Sequence, residues 1–197
     1  ELKEIVQYAH NRDMIVIVDE AHGAHLHFNK KLPPSGLDAG ADIVIQSMHK
    51  MGISLTQGAI IHLKGERIDK DILWENVLLL STTSPSTIIL GSIDLCRREL
   101  AVNGERILDN LLSEIEKLGY KIKNTGFSLY EKPDMDRTKL TLYDLDGGRL
   151  SERLWEDFRI QTEMSSGTYC LFILSLLDSE RTLNTLFNAL KKIEPLP

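Results

Sequence analysis

Leu2, Ile5, Val6 and Ala9 recur at helical spacing and predict a helix at the very start of the chain. An apolar run, Met14-Ile-Val-Ile-Val18, follows and reads as a strand, with two more candidates at Asp42-Ile-Val-Ile-Gln46 and Gly58-Ala-Ile-Ile-His-Leu63. Apolar runs without alternation suit strands buried on both faces of a sheet. Between the first two, the sequence turns polar and loop-like through Pro33 and Pro34. A helix feeding such a strand is half of a βαβ unit whose first strand is not here. With no initiator Met and no signal-like start, the chain reads as a fragment.

Further on, Ile89, Ile93, Cys96 and Leu100 keep helical register between Ser86 and Ala101. Asn103 is expected to cap a second helix, Glu105 to Leu118, which Gly119 would stop. Its stripe of Ile107, Leu108, Leu111, Leu112, Ile115 and Leu118 sustains no heptads, so it and the stripe at 183–193 read as core. Candidate strands then fall at 126–130, 138–143 and 169–174, and candidate helices at 149–158 and 179–193. The pattern predicts part of an α/β domain over residues 1–104 and a small α+β domain over 105–197. Asp144 and Asp146, before Gly147-Gly148, read as a turn, and Glu163 as a solvated carboxylate.

Composition narrows the function. Hydrophobic residues make up 42% and charged residues 26%, an ordinary globular balance, and the formal charge is −6 with no basic tract. That argues against a nucleic-acid binder. No apolar run reaches the roughly eighteen residues of a membrane span. The two cysteines, Cys96 and Cys170, form no metal or redox motif, and a cytoplasmic setting is expected.

The chemistry concentrates after two strand candidates, where loops of buried sheets bind ligands. Val18-Asp-Glu-Ala-His-Gly23 supplies a carboxylate and Gln46-Ser-Met-His-Lys50 supplies a hydroxyl, an imidazole and an amine. Together they suit an aromatic phosphate cofactor. A carboxylate keeps a pyridine nitrogen protonated, Ser47 and His49 can donate to phosphate, and the Lys50 amine can form a Schiff base. The small Ala21 lets a flat ring lie against the strand end. Asp19-Glu-Ala-His22 also spells the second motif of a helicase ATPase, but no Gly-x-x-x-x-Gly-Lys-Ser/Thr loop accompanies it. His22, His25 and His27 lack the carboxylate or cysteine partners of a metal set, so no metal site is expected.

The run VDEAHGAHLHF, then LPPSGLDAGADIVIQSMHKMGISLTQGAIIHL, then LLSTTSPSTIILGSIDLCRREL resembles the central blocks of the Orn/Lys/Arg decarboxylases. These are pyridoxal-phosphate enzymes of fold type I, with a large domain like that of aspartate aminotransferase followed by a small one. The resemblance implies Asp19 on the pyridinium nitrogen, Ala21 on the ring face and His22 near the ring's phenolic oxygen or the substrate carboxylate. It implies Ser47 and His49 on the phosphate and Lys50 as the Schiff-base lysine. The Thr82 to Ser86 stretch, with Thr82 and Ser84, resembles the segment that approaches the phosphate of a neighbouring subunit's cofactor, which implies at least a homodimer. Implied, then, is decarboxylation of arginine, lysine or ornithine with pyridoxal phosphate. Two departures stand out. The family favours Ser-Thr-His-Lys-Thr where this chain has Ser47-Met-His-Lys-Met51, and Ser-Pro-Ser-Tyr where it has Ser84-Pro-Ser-Thr87. A second phosphate loop and the aromatic group that stacks on the ring lie in the family's N-terminal half, so this piece alone is expected to bind the cofactor weakly and turn over poorly. An acyltransferase of the α-oxoamine synthase kind shares the Asp-Glu-Ala-His block, and a cofactor-free scaffold is the non-enzymatic alternative. The Gly-Ala-His-Leu-His-Phe and Thr56-Gln-Gly-Ala continuations favour the decarboxylase over the first. The retained Asp19, His49 and Lys50 argue against the second.

Overall fold

A computed structural model describes residues 1–193. The chain divides into two compact units, Glu1–Glu105 and Arg106–Pro197.

The first unit opens with α1 (Leu2–His10), then β1 (Ile17–Asp19), a 3₁₀ turn (Leu26–Phe28), α2 (Gly36–Ala39), β2 (Ile43–Ser47), β3 (Ala59–Leu63) and α3 (Lys70–Leu80). Its sheet has the order β1-β2-β3, with β1 parallel and β3 antiparallel to β2. Register pairs Asp19 with Ile45 and Ser47 with Ala59, so Asp19 and Ser47 are the last residues of neighbouring parallel strands. Val44 is fully buried in a cluster with Val6, Ala39 and Ala41. The expected burial of all three strands on both faces holds for β2 only. Ile17 of β1 is 59% exposed and Ile61 of β3 is 45% exposed. The first ladder also starts later than the apolar run suggests. Met14 and Ile15 stay outside it, and the Val16 N–H donates to the Asp42 side chain at 2.8 Å.

One helix, α4 (Thr87–Lys123), replaces the two expected around Asn103. Asn103 does not cap: its Nδ2 donates to Glu99 Oε1, one turn earlier, at 2.9 Å. Gly104 is tolerated mid-helix because Phe28 packs there, and a Cβ would meet Phe28 Cβ at 3.0 Å. Gly119 also stays helical, and the helix ends only at Lys123, ahead of Gly126 in the left-handed region.

The second unit continues with β4 (Ser128–Leu129), β5 (Lys139–Tyr143), α5 (Gly147–Phe158), β6 (Met164–Ser165), β7 (Tyr169–Ile173) and α6 (Glu180–Leu190). All pairings in its sheet, β4-β5-β7-β6, are antiparallel. Leu140 pairs with Phe172 and Leu142 with Cys170, and all four are buried, while the alternate residues are not. The core is completed by Leu111, Leu112, Ile115 and Leu118 of α4, Leu150 and Leu154 of α5, and Leu183, Leu186 and Leu190 of α6. Asp146 is more than a turn residue: its side chain caps α5 by accepting from the Arg149 N–H at 3.0 Å. Asp144 adopts the left-handed conformation, φ 61°. Glu163 is exposed. Among the described residues no helix is long and apolar enough to cross a membrane.

Candidate functional site

The two strand ends deliver a carboxylate and a hydroxyl, and the turns that follow are tied to each other. Beyond Asp19, the Glu20 N–H donates to Ile45 O at 2.9 Å, and the Ser47 N–H donates to Ala21 O at 3.3 Å. Those bonds hold the Asp19–Gly23 turn beside the end of β2. Asp19 is exposed, and its Oδ1 accepts from the Ala21 N–H at 3.0 Å, which fixes the carboxylate over its own turn. Ala21 and His22 are half-buried.

After β2 the chain makes a tight turn through Met48, His49 and Lys50. Met48 and Met51 are buried and anchor it. The Gly58 carbonyl accepts from the N–H groups of Met48 (2.8 Å) and His49 (3.3 Å) and from His49 Nδ1 at 3.0 Å. Gln57, next to it, takes a left-handed φ of 73°, a conformation uncommon for a side-chain-bearing residue and common beside ligand sites. The loop is also fastened to α4: the Ile53 N–H donates to Cys96 Sγ at 3.2 Å and the Leu55 N–H to Ser92 Oγ at 3.1 Å.

This arrangement brings the Lys50 amine, itself exposed, to 3.1 Å from His22 Nε2. Ser47 and His49, either side of Met48, are half-buried. Thr82 and Ser84 are elsewhere, in an exposed loop between α3 and α4 where the Ser84 N–H donates to Thr82 Oγ1 at 3.2 Å. The three histidines of the 22–27 stretch part company: His22 meets Lys50, His25 is fully buried, and His27 Nδ1 pairs with Asp38 Oδ1 at 2.8 Å.

Sequence reasoning missed a second layer. Glu20 accepts from the Gly36 N–H at 2.8 Å and from Gln46 Nε2 at 2.6 Å, and Gln46 Oε1 lies 3.0 Å from His62 Nε2. Burial pushes the Glu20 carboxyl up, with the bonds from Gln46 and Gly36 opposing. Burial pushes the His62 imidazole down, helped by nearby His27. The available signal was Gln46, a polar residue ending an apolar run at a position that is 5% exposed.

The chain resembles known proteins along most of its length. A family model described as the major domain of the Orn/Lys/Arg decarboxylases matches residues 1–163. The chain is 35% identical over 207 residues to the arginine decarboxylase of Bacillus subtilis, across 98% of this chain and 42% of that protein. It is 29% identical over 102 residues to the constitutive lysine decarboxylase of Escherichia coli, across 48% of this chain and 14% of that protein. The solved structure of that lysine decarboxylase superposes with a TM-score of 0.72 at 21% identity, covering 89% of this chain and 32% of its own. The serine palmitoyltransferase of Sphingomonas wittichii superposes with a TM-score of 0.70 at 17% identity, covering 97% and 50%. These structural likenesses show the fold, that of the pyridoxal-phosphate-dependent fold type I enzymes. The chain spans less than half the length of the B. subtilis relative, 42%.

Proposed function

The chain belongs to the Orn/Lys/Arg decarboxylase family, and from that premise we propose that the whole protein removes carbon dioxide from a basic amino acid, arginine, lysine or ornithine. The cofactor that family and fold imply is pyridoxal phosphate. When bound, it supplies a protonated pyridine ring that withdraws the electrons left by the departing carboxylate.

The residues at the ends of β1 and β2 fit that group. The observation that carries the reading is the 3.1 Å contact between Lys50 Nζ and His22 Nε2, an amine held beside an imidazole next to a fixed carboxylate and a hydroxyl. In this reading Asp19 faces the ring nitrogen, held in place by the Ala21 N–H, and Ala21 leaves room for the flat ring. Ser47 and His49 bind the phosphate. With Nδ1 at the Gly58 carbonyl, His49 would meet the phosphate through Nε2. Lys50 holds the cofactor. Lys50 Nζ would also return a proton to the carbon that lost its carboxylate, trading protons with His22 Nε2. The product is a diamine or agmatine, the feedstock of polyamines.

The protein acts as a homodimer in this proposal, Thr82 and Ser84 reaching the phosphate bound by the second copy. Supporting this, α3 buries none of its residues, Leu79 and Leu80 being 81% and 91% exposed, and the Thr82–Ser84 loop beside it is exposed too.

The deciding experiment loads the protein, as its gene encodes it, with pyridoxal phosphate and records the visible spectrum before and after borohydride, alongside Lys50→Ala. Expected is a visible band that borohydride bleaches while fixing the cofactor to Lys50, absent in the variant, with carbon dioxide released from one of the three amino acids. A well-folded protein with no such band, or one that consumes an acyl-thioester and releases no carbon dioxide from any of the three, would sink the proposal.

A further inference from the structure

We infer that Glu20, with Gln46 and His62, is a positioning device for the Lys50–His22 pair, acting by fixing the direction of the hydrogen bonds that link the three beneath the turn that carries His22. The inference rests on the function proposed above, in which that pair holds the cofactor and moves the proton.

Glu20 follows Asp19 directly, yet the two carboxylates serve opposite sides of the turn. Asp19 is exposed, whereas both oxygens of Glu20 are taken from within: Oε1 by the Gly36 N–H at 2.8 Å and Oε2 by Gln46 Nε2 at 2.6 Å. Gln46 Nε2 also reaches the Gly23 carbonyl at 3.4 Å, so one amide holds both ends of the Glu20–Gly23 turn. The turn closes on the Glu20 side chain, and a Cβ on Gly23 would lie 2.1 Å from Glu20 Cγ. His22 sits in the middle of this turn.

The chain of bonds has one self-consistent direction. A carboxylate only accepts, so Gln46 must turn its NH₂ to Glu20 and its carbonyl to His62, and His62 must carry its proton on Nε2. The neutral form of His62 that burial favours matches that requirement. The other charged groups acting on the network are Asp38 and His25 near Glu20, and His27 near His62. The effect reaches the Lys50–His22 pair through the backbone of residues 20–23, whose ends Gln46 and Glu20 hold.

Glu20→Gln keeps the shape of the side chain but sets an NH₂ against the NH₂ of Gln46. Either the bond to Gln46 is lost or Gln46 flips and opposes the His62 proton; in both cases the turn relaxes and the His22–Lys50 contact changes. The readout is the pH midpoint of the visible band in the cofactor-loaded protein as its gene encodes it. We expect Glu20→Gln to move that midpoint by ~0.5 pH unit or more. The exchange Glu20→Gln with Gln46→Glu restores one acceptor facing one donor, keeps an acceptor for His62, and is expected to return the midpoint toward its original value. A role confined to packing would not respond to an isosteric change or be rescued by the exchange.

Absence of the band in the unsubstituted protein would remove the function proposed above. A normal band with an unmoved midpoint in Glu20→Gln, or a moved midpoint that the exchange leaves moved, would overturn this inference alone. Should Glu20→Gln fail to fold by circular dichroism, His62→Ala at the half-buried end of the chain decides: a smaller shift in midpoint is expected, and none overturns the inference.

Discussion

Of the polar side chains buried among the described residues, His25, Asn29, Ser35, Asp42 and Gln46 lie in the first unit, while the second buries Thr138. The apolar side chains divide the other way. The second unit turns Leu140, Leu142, Cys170 and Phe172 inward from one face of its sheet and closes them under helices, and burial pushes the Cys170 thiol up to about 11, against a hydrogen bond from Thr162. In the first unit Ile17, Ile61, Ile72 and Trp74 face outward. A buried polar group costs stability unless it is hydrogen-bonded, and in return it fixes geometry that apolar packing leaves adjustable. In the first unit Gln46 is put to that use, beneath the Glu20–Gly23 turn that carries His22. Packing is the task of the second.

The largest effect that tests this contrast is expected in the second unit. Leu142 of β5 is fully buried, and Leu142→Ala should cost about 2–5 kcal/mol through lost burial and the cavity left behind. Urea unfolding followed by far-ultraviolet circular dichroism measures it. A loss below about 1 kcal/mol would mean that this core is looser than its burial implies.

Much of the site was legible because its chemistry sits where apolar runs stop. Asp19 ends one run of β-branched residues and Ser47 and Lys50 come within a few residues of another, and a carboxylate, hydroxyl and amine at such ends need no tertiary information to be noticed. What escaped depends on long-range partners. Glu20 and Gln46 are 26 residues apart and meet only because β1 and β2 lie side by side. Asn103 and Gly104 look like a helix break, yet the helix continues because Gly104 is the space that Phe28 fills. Helix α3 was missed for a different reason: Ile72, Leu73, Trp74, Val77, Leu78, Leu79 and Leu80 surround the axis, so no periodic face announces it. Helix α6, of equal length, shows one face, and its Leu183, Leu186 and Leu190 are buried.

A middle-sized effect is expected at Asp42, one of the first unit's buried polar groups. Its side chain is 4% exposed and accepts from the Val16 N–H at 2.8 Å and His10 Nε2 at 2.9 Å, with Arg67 Nε at 3.8 Å. Burial pushes its carboxyl up, but those partners together outweigh burial and hold it below the ordinary 3.8. A depressed carboxyl contributes stability that is complete above the unfolded value and fades as pH falls through the lower, folded one. Asp42→Asn should therefore lose about 1–3 kcal/mol at neutral pH, and the gap between the two proteins should narrow below about pH 3.8. Chemical unfolding across pH 2.5 to 7 (roughly the span of that linkage) reads this out. A gap that stays constant into acid would show that the charge of Asp42 contributes nothing and only its shape matters.

The smallest effect on folding belongs to α3, and it sharpens the comparison most. Leu79 is 81% exposed, so Leu79→Ser should change unfolding free energy by no more than about 0.5 kcal/mol, against several for Leu142→Ala. A helix whose apolar residues surround its axis and that fully buries none of them gains from being covered, and the dimer proposal supplies the cover. Leu79→Ser should accordingly weaken self-association by about tenfold, the equivalent of ~1.4 kcal/mol, as measured by sedimentation velocity on the protein as its gene encodes it. An unchanged dissociation constant would place the dimer contact elsewhere and leave α3 as exposed apolar surface. A large loss of folding stability instead would mean that α3 packs within its own chain, and the contrast between the two units would fail at that helix.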